Sequence, residues 1–177
     1  MRSTIGIDVA APPDLVFALA SDVRRWSTLL PHYVVSRELE ARMDGSLVCD
    51  FVARRPLVPL LGLGIPVAWR SRTWSEVRSR RLRFVHVAGA TRGMDVTWSI
   101  EPSGRGTRIE IEHRFRRRLP ASLGGMFLGD ELFPAVVDRL FTRPIAGRTL
   151  ATFKALAESV AALADASDSA SATNLRS

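Results

Sequence analysis

The stretch Met94-Asp-Val-Thr-Trp-Ser-Ile-Glu-Pro-Ser-Gly-Arg-Gly-Thr-Arg-Ile-Glu-Ile-Glu-His-Arg-Phe115 decides the fold. Met94, Val96, Trp98 and Ile100 occupy every second position of its first half. Thr107, Ile109, Ile111, His113 and Phe115 do so in the second half, opposite Arg108, Glu110, Glu112, Arg114 and Arg116. A period of two over this length is the mark of a strand with one buried and one wet face. Pro102-Ser103-Gly104-Arg105-Gly106 supplies the turn between the halves.

The same period extends upstream. Tyr33, Val35, Leu39 and Ala41 share a face, Asp44-Gly45 signals a turn, and Leu47, Cys49, Phe51 and Ala53 share the next face. Val67, Trp69, Ser71, Thr73, Ser75 and Val77 then lie opposite Arg70, Arg72, Trp74 and Glu76, and Leu82, Phe84, His86 and Ala88 follow. Connections this short predict an antiparallel meander, because parallel neighbours need long crossovers. Residues 2–9 form a further strand through Ile5, Ile7 and Val9. Pro12-Pro13-Asp14 then opens a helix with Leu15, Val16 and Leu19 inside, and a second short helix spans Asp22 to Leu29, capped by Asp22 and ended by Pro31.

Beyond the hairpin the period becomes helical. From a cap at Asp130, the stripe Val137, Leu140, Phe141, Ile145, Phe153, Leu156, Val160 and Leu163 predicts a long C-terminal helix, broken or kinked at Pro144. The reading is therefore α+β: a curved antiparallel sheet of about seven strands around a long helix, in a single domain over 1–164, with a disordered polar tail over 165–177.

The 177 residues suffice for one domain with its own core. Of the 25 basic residues all but Lys154 are arginine, and the formal net charge is +7. That balance draws the protein toward acidic partners. One cysteine excludes a disulfide framework, and three histidines leave few ligands for zinc. There is no nucleophile elbow, phosphate-binding loop or metal-spaced set, so the expected metal and cofactor content is none. No secretory leader or membrane-spanning run is present, which places the chain in the cytoplasm, at most peripheral to a membrane.

Ala11-Pro12-Pro13-Asp14-Leu15-Val16-Phe17 followed by Asp22-Val23 and Trp26, the Trp98 to Arg108 and Glu112 to Phe115 segments, and Ile145 to Lys154 together resemble the START and birch-pollen-allergen superfamily. Within it they are similar to the polyketide cyclase/dehydrase and coenzyme-Q-binding branch. The resemblance covers about residues 3–160. It implies a helix-grip fold with a ligand cavity between helix and sheet. In related aromatase/cyclases an arginine near the cavity polarises the polyketide; the nearest by sequence, Arg70 and Arg72, are turned outward by the alternation.

The predicted cavity wall is Tyr33, Phe51, Trp69, Ser71, Thr73, Phe84, Met94 and Trp98, a mostly apolar surface with a few polar groups. His86 and His113 fall on the same face, as proton-transfer residues or as structural imidazoles. Arg37 lies on an otherwise apolar face. The uncharged segment 56–68 carries Leu57, Leu60, Leu61 and Leu63, and reads as a lid over the cavity mouth, a lip that dips into a membrane or a packed loop; Met126 and Phe127 belong to the opposing edge of the mouth. The expected function is to carry or sequester a polyketide, quinone or lipid, with polyketide cyclisation and binding of an acidic macromolecule as alternatives. Expected partners are a hydrophobic small molecule with an acyl carrier protein or an anionic membrane surface. Nucleic acid is disfavoured, since basic and aromatic residues do not interleave.

Overall fold

The computed structural model describes residues 2–58, 63–89, 91–104, 106–115 and 138–174. Strand β1 (Arg2–Val9) is followed by α1 (Pro13–Ser21), a 3-10 turn (Val23–Arg25) and α2 (Trp26–Leu29). Six strands come next: β2 (Tyr33–Ala41), β3 (Leu47–Val58), β4 (Leu63–Glu76), β5 (Arg81–Gly89), β6 (Met94–Ser103) and β7 (Gly106–Phe115). A π-helical turn (Asp138–Thr142) then runs into α3 (Arg143–Asn174).

The strands form one seven-stranded sheet in the order β1-β7-β6-β5-β4-β3-β2, antiparallel throughout. β1 returns to pair with β7, with Ser3 opposite His113. Register shifts interrupt the β2–β3, β3–β4 and β4–β5 pairings. Each extra residue bends its strand and adds twist, curving the sheet toward α3. At the β2–β3 turn Asp44 Oδ1 accepts from the Ser46 N–H at 3.0 Å and the Ser46 hydroxyl at 2.6 Å, and Gly45 takes φ +79°.

Alternation holds through β6 and β7, where Met94, Val96, Trp98, Ile100, Ile109, Ile111 and Phe115 are all buried. β2 departs from it. A bulge after Tyr33 shifts the strand by one residue, so the Ser36 hydroxyl donates inward to the Val23 carbonyl and Glu38 pairs with Arg24, while Leu39 is exposed. Arg37 does not join an apolar face: it points outward, 3.7 Å from Asp50.

Pro13 sits in the first turn of α1, where its missing N–H is no loss. Asp22 precedes the 3-10 turn but its side chain makes no capping bond. Pro144 stands in the first turn of α3, so the expected break is the passage from π-turn to α-helix. α3 buries Ile145, Ala146, Thr149, Leu150, Phe153 and Ala157. Val160 and Leu163, expected on that stripe, are exposed instead, because the helix runs on past the sheet. Where a disordered tail was expected from residue 165, the backbone stays helical to Asn174, as a continuation of α3. The proposed cap Asp130 lies outside the described residues, as does Val137.

Lys154 fastens α3 to the end of β1. Its Nζ donates to the Asp8 carbonyl (2.8 Å) and to Glu158 Oε1 (2.6 Å), and that oxygen also accepts the Ala10 N–H at 2.8 Å. Trp26 is the hub of the core: its ring lies 5.3–5.9 Å from Tyr33, Phe51, Phe84, Trp98 and Phe153, and Nε1 donates to the Ala20 carbonyl at 3.0 Å. Burying one such side chain stabilises the fold by roughly 2–3 kcal/mol.

Candidate functional site

A cavity of about 70 Å³ lies where α3 crosses the concave face of the sheet. Its sheet side is walled by Tyr33, Phe51, Trp69, Phe84, Met94 and Trp98, all predicted. Ser71 and Thr73 are buried on the same face but do not reach the cavity. The Ser71 hydroxyl is engaged by backbone carbonyls of Arg72 (3.1 Å) and Val85 (3.2 Å), next to the β4 bulge. The helical side is built by Thr142, Ile145, Ala146 and Thr149, and Trp26, Val67, Thr91, Val96 and Ile111 also line the cavity; none of these was predicted as a cavity residue from the sequence.

The expected lip lies largely outside the described residues. Leu60, Leu61, Met126 and Phe127 are not described. Of Leu57 and Leu63 only the backbone is, within β3 and β4.

His86 and His113 both line the cavity and both are buried. His86 stacks on Trp69 (centroids 5.7 Å apart, planes at 18°), which in turn stacks on Phe51 at 5.5 Å. His86 Nδ1 shares a 2.6 Å hydrogen bond with the Thr91 hydroxyl, across the β5–β6 turn closed by Gly93 N–H to the His86 carbonyl at 2.9 Å. Burial, and secondarily His113, push the His86 pKa down to about 3. Burial likewise pushes His113 down to about 4, against the upward pull of Asp138. Both are neutral imidazoles at neutral pH. A base of such low pKa is a weak proton acceptor there, but each ring still offers a hydrogen bond.

Beside His113, Asp138 is held by two groups: the Ser3 hydroxyl donates to Oδ1 at 2.6 Å and Arg143 Nε to Oδ2 at 2.8 Å. His113 Nδ1 is buried without a partner. A second network joins the residue before β2 to α3. His32 Nε2 lies 2.9 Å from Thr149 Oγ1, which donates to the Ile145 carbonyl at 2.8 Å. Both bonds form together only when Nε2 carries the proton, so His32 is the Nε2–H tautomer. Burial and Arg148 push His32 down to about 4. Cys49 is buried, its thiol pushed up to about 11 by burial, an inert packed group.

Arg70 and Arg72 face outward as the alternation predicts. Arg70 forms a two-pronged pair with Asp50 (2.7 and 3.0 Å), and Arg72 pairs with Asp44 at 2.6 Å. Among the described residues no three His, Cys, Asp or Glu side chains are grouped to share a metal ion, and no helix is long and apolar enough to cross a membrane.

Residues 2–158 match the family described as polyketide cyclase / dehydrase and lipid transport. The chain belongs to that family. Among solved structures it is similar to a protein of Thermus thermophilus (21% identity, TM-score 0.63, covering 92% of this chain and 99% of that one). It is also similar to the Zhui aromatase/cyclase of a Streptomyces species (22%, TM-score 0.67, 89% and 93%) and to a START superfamily protein of Mycobacterium smegmatis (14%, TM-score 0.54, 88% and 98%). At these identities the likeness is one of fold, the helix-grip fold. No curated protein matches. Family membership supports a role in hydrophobic ligand binding or in cyclisation.

Proposed function

We propose that the protein binds a hydrophobic or aromatic small molecule in the cavity beneath α3, as a carrier or sequestering protein. One observation carries this reading: among the described residues, an aromatic and aliphatic wall interrupted only by His86, Thr91, His113, Thr142 and Thr149. Such a surface loses little on releasing water and keeps a few groups to orient a ligand. The family description, with its lipid transport, supports the same reading. At about 70 Å³ the cavity is smaller than the engineered cavity of about 150 Å³ that accepts benzene, so a ring ligand enters by displacing lining side chains. Trp69, the least buried of the cavity tryptophans, is the natural one to yield. The excess of arginine suits delivery by an acidic carrier protein or an anionic membrane.

Cyclisation of a polyketide is a second reading, favoured by two imidazoles in one cavity with Asp138 beside one of them. The depressed pKa values and the outward Arg70 and Arg72 favour the carrier. Native mass spectrometry of freshly purified protein tests the cavity: a retained small-molecule mass, released on unfolding, is expected, and a bare chain after incubation with apolar extracts opposes it. His113→Gln, which keeps a neutral hydrogen-bonding side chain in the wall, then separates the readings. A carrier retains ligand, whereas a cyclase loses product formation.

A further inference from the structure

We propose that the ligand of this cavity is uncharged, and that the site discriminates against carboxylates and phosphates of the same shape. The inference rests on the small-molecule reading above and narrows its ligand class. Although the chain has 25 basic residues, no Lys, Arg, Asp or Glu lines the cavity among the described residues. The arginines on the strand nearest the stacked rings are turned away and already paired, Arg70 to Asp50 and Arg72 to Asp44. An anion entering the cavity would lose its water and find no cation among the described lining residues in return.

The histidines do not fill that role. With its pKa near 4, His113 is protonated in about one molecule in a thousand at pH 7, and His86 in fewer. The buried acid beside the cavity offers an anion no attraction: the Asp138 carboxylate, next to His113, is held by the Ser3 hydroxyl at 2.6 Å and already neutralised by Arg143 at 2.8 Å. Arg143, its counter-ion, has a side chain 56% exposed and engages Asp138 rather than the cavity. What remains for recognition is packing against the aromatic wall and neutral hydrogen bonding, which suit an amide, a ketone or a hydroxyl on a ring.

The probes are benzamide and benzoate, matched in shape and different in charge at pH 7.5. The tryptophans supply a local readout. Trp26, Trp69 and Trp98 line the cavity, while Trp74 lies on the outer face with Arg72 over its ring. In proton–nitrogen correlation spectra of the labelled chain, with the Trp74 indole signal assigned from Trp74→Phe, benzamide is expected to move indole signals of the three cavity tryptophans and leave Trp74 in place. Benzoate is expected to do so at a dissociation constant about 30-fold or more higher. Benzoate moving those signals within threefold of benzamide overturns the charge rule while leaving the cavity reading intact. Neither probe moving them, or movement at Trp74 alone, defeats the cavity reading and this inference together.

Discussion

His86 lies flat against Trp69, ring centroids 5.7 Å apart and planes within 18°, with its Nδ1 fastened to Thr91 at 2.6 Å. The imidazole is thus both part of the cavity wall and the peg that holds the β5–β6 turn. Removing it leaves a void beside Trp69 and strands a buried hydroxyl. His86→Ala is expected to lower stability by about 2–4 kcal/mol. His86→Phe, which restores the ring but not the hydrogen bond, is expected to recover about half. Urea midpoints of the two variants check this; equal midpoints for Ala and wild type would remove the structural role.

The buried histidines set a pH dependence. His32, His86 and His113 have pKa values near 4, 3 and 4 in the fold, below the value near 6.5 of an unfolded chain. Between those limits the unfolded chain binds more protons, so their stabilising contribution is complete above about pH 6.5 and is lost as pH falls toward 4. By pH 5 each is expected to have cost about 2 kcal/mol. Urea unfolding at pH 7.5 and pH 5.0 measures it. An unchanged midpoint would mean that the three rings are not buried as neutral groups.

How far the sequence reveals this site depends on what each residue's position rests on. Met94, Val96 and Trp98 were legible because a strand's parity alone decides which way they face. Leu39 and Arg37 were not, because one bulged residue in β2 reverses that parity and leaves no mark in the composition. Ser71 and Thr73 had the right face, but only the line along which α3 meets the sheet tells cavity from core. Thr142, Ile145, Ala146 and Thr149 were hidden for the same reason. The spacing from Ile145 to Thr149, one helical turn, was a signal available in the sequence. Trp26 stood in the recognised motif without betraying its place at the centre of the core.

Two glycines with positive φ separate backbone strain from steric crowding. Gly45 (φ +79°) has open space where a Cβ would stand. Gly89 (φ +86°) would put a Cβ against the Ala68 carbonyl oxygen and 2.6 Å from Trp69 Cα, behind the stacked rings. Gly45→Ala is expected to cost about 1 kcal/mol for the left-handed conformation alone. Gly89→Ala is expected to cost more than about 2 kcal/mol and to weaken ligand binding, since the backbone behind Trp69 must move. Thermal unfolding with ligand titration checks both, and equal losses at the two positions would refute the crowding.

Ser3 and Asp138 are the contact by which the first strand holds the start of the last helix. The Ser3 hydroxyl donates to a buried carboxylate at 2.6 Å, and Ser3 faces His113 across the β1–β7 pairing. A hydrogen bond to a charged, buried acceptor is among the stronger ones, so Ser3→Ala is expected to cost about 1.5–3 kcal/mol. Asp138→Asn keeps the shape and removes the charge that both Ser3 and Arg143 satisfy. If these groups act as one unit, Ser3→Ala in the Asp138→Asn background is expected to cost less than half of what it costs alone. A double-mutant cycle by urea unfolding measures the coupling. Additive losses would mean that Asp138 draws its stability from Arg143 alone and that β1 does not anchor the helix through this bond.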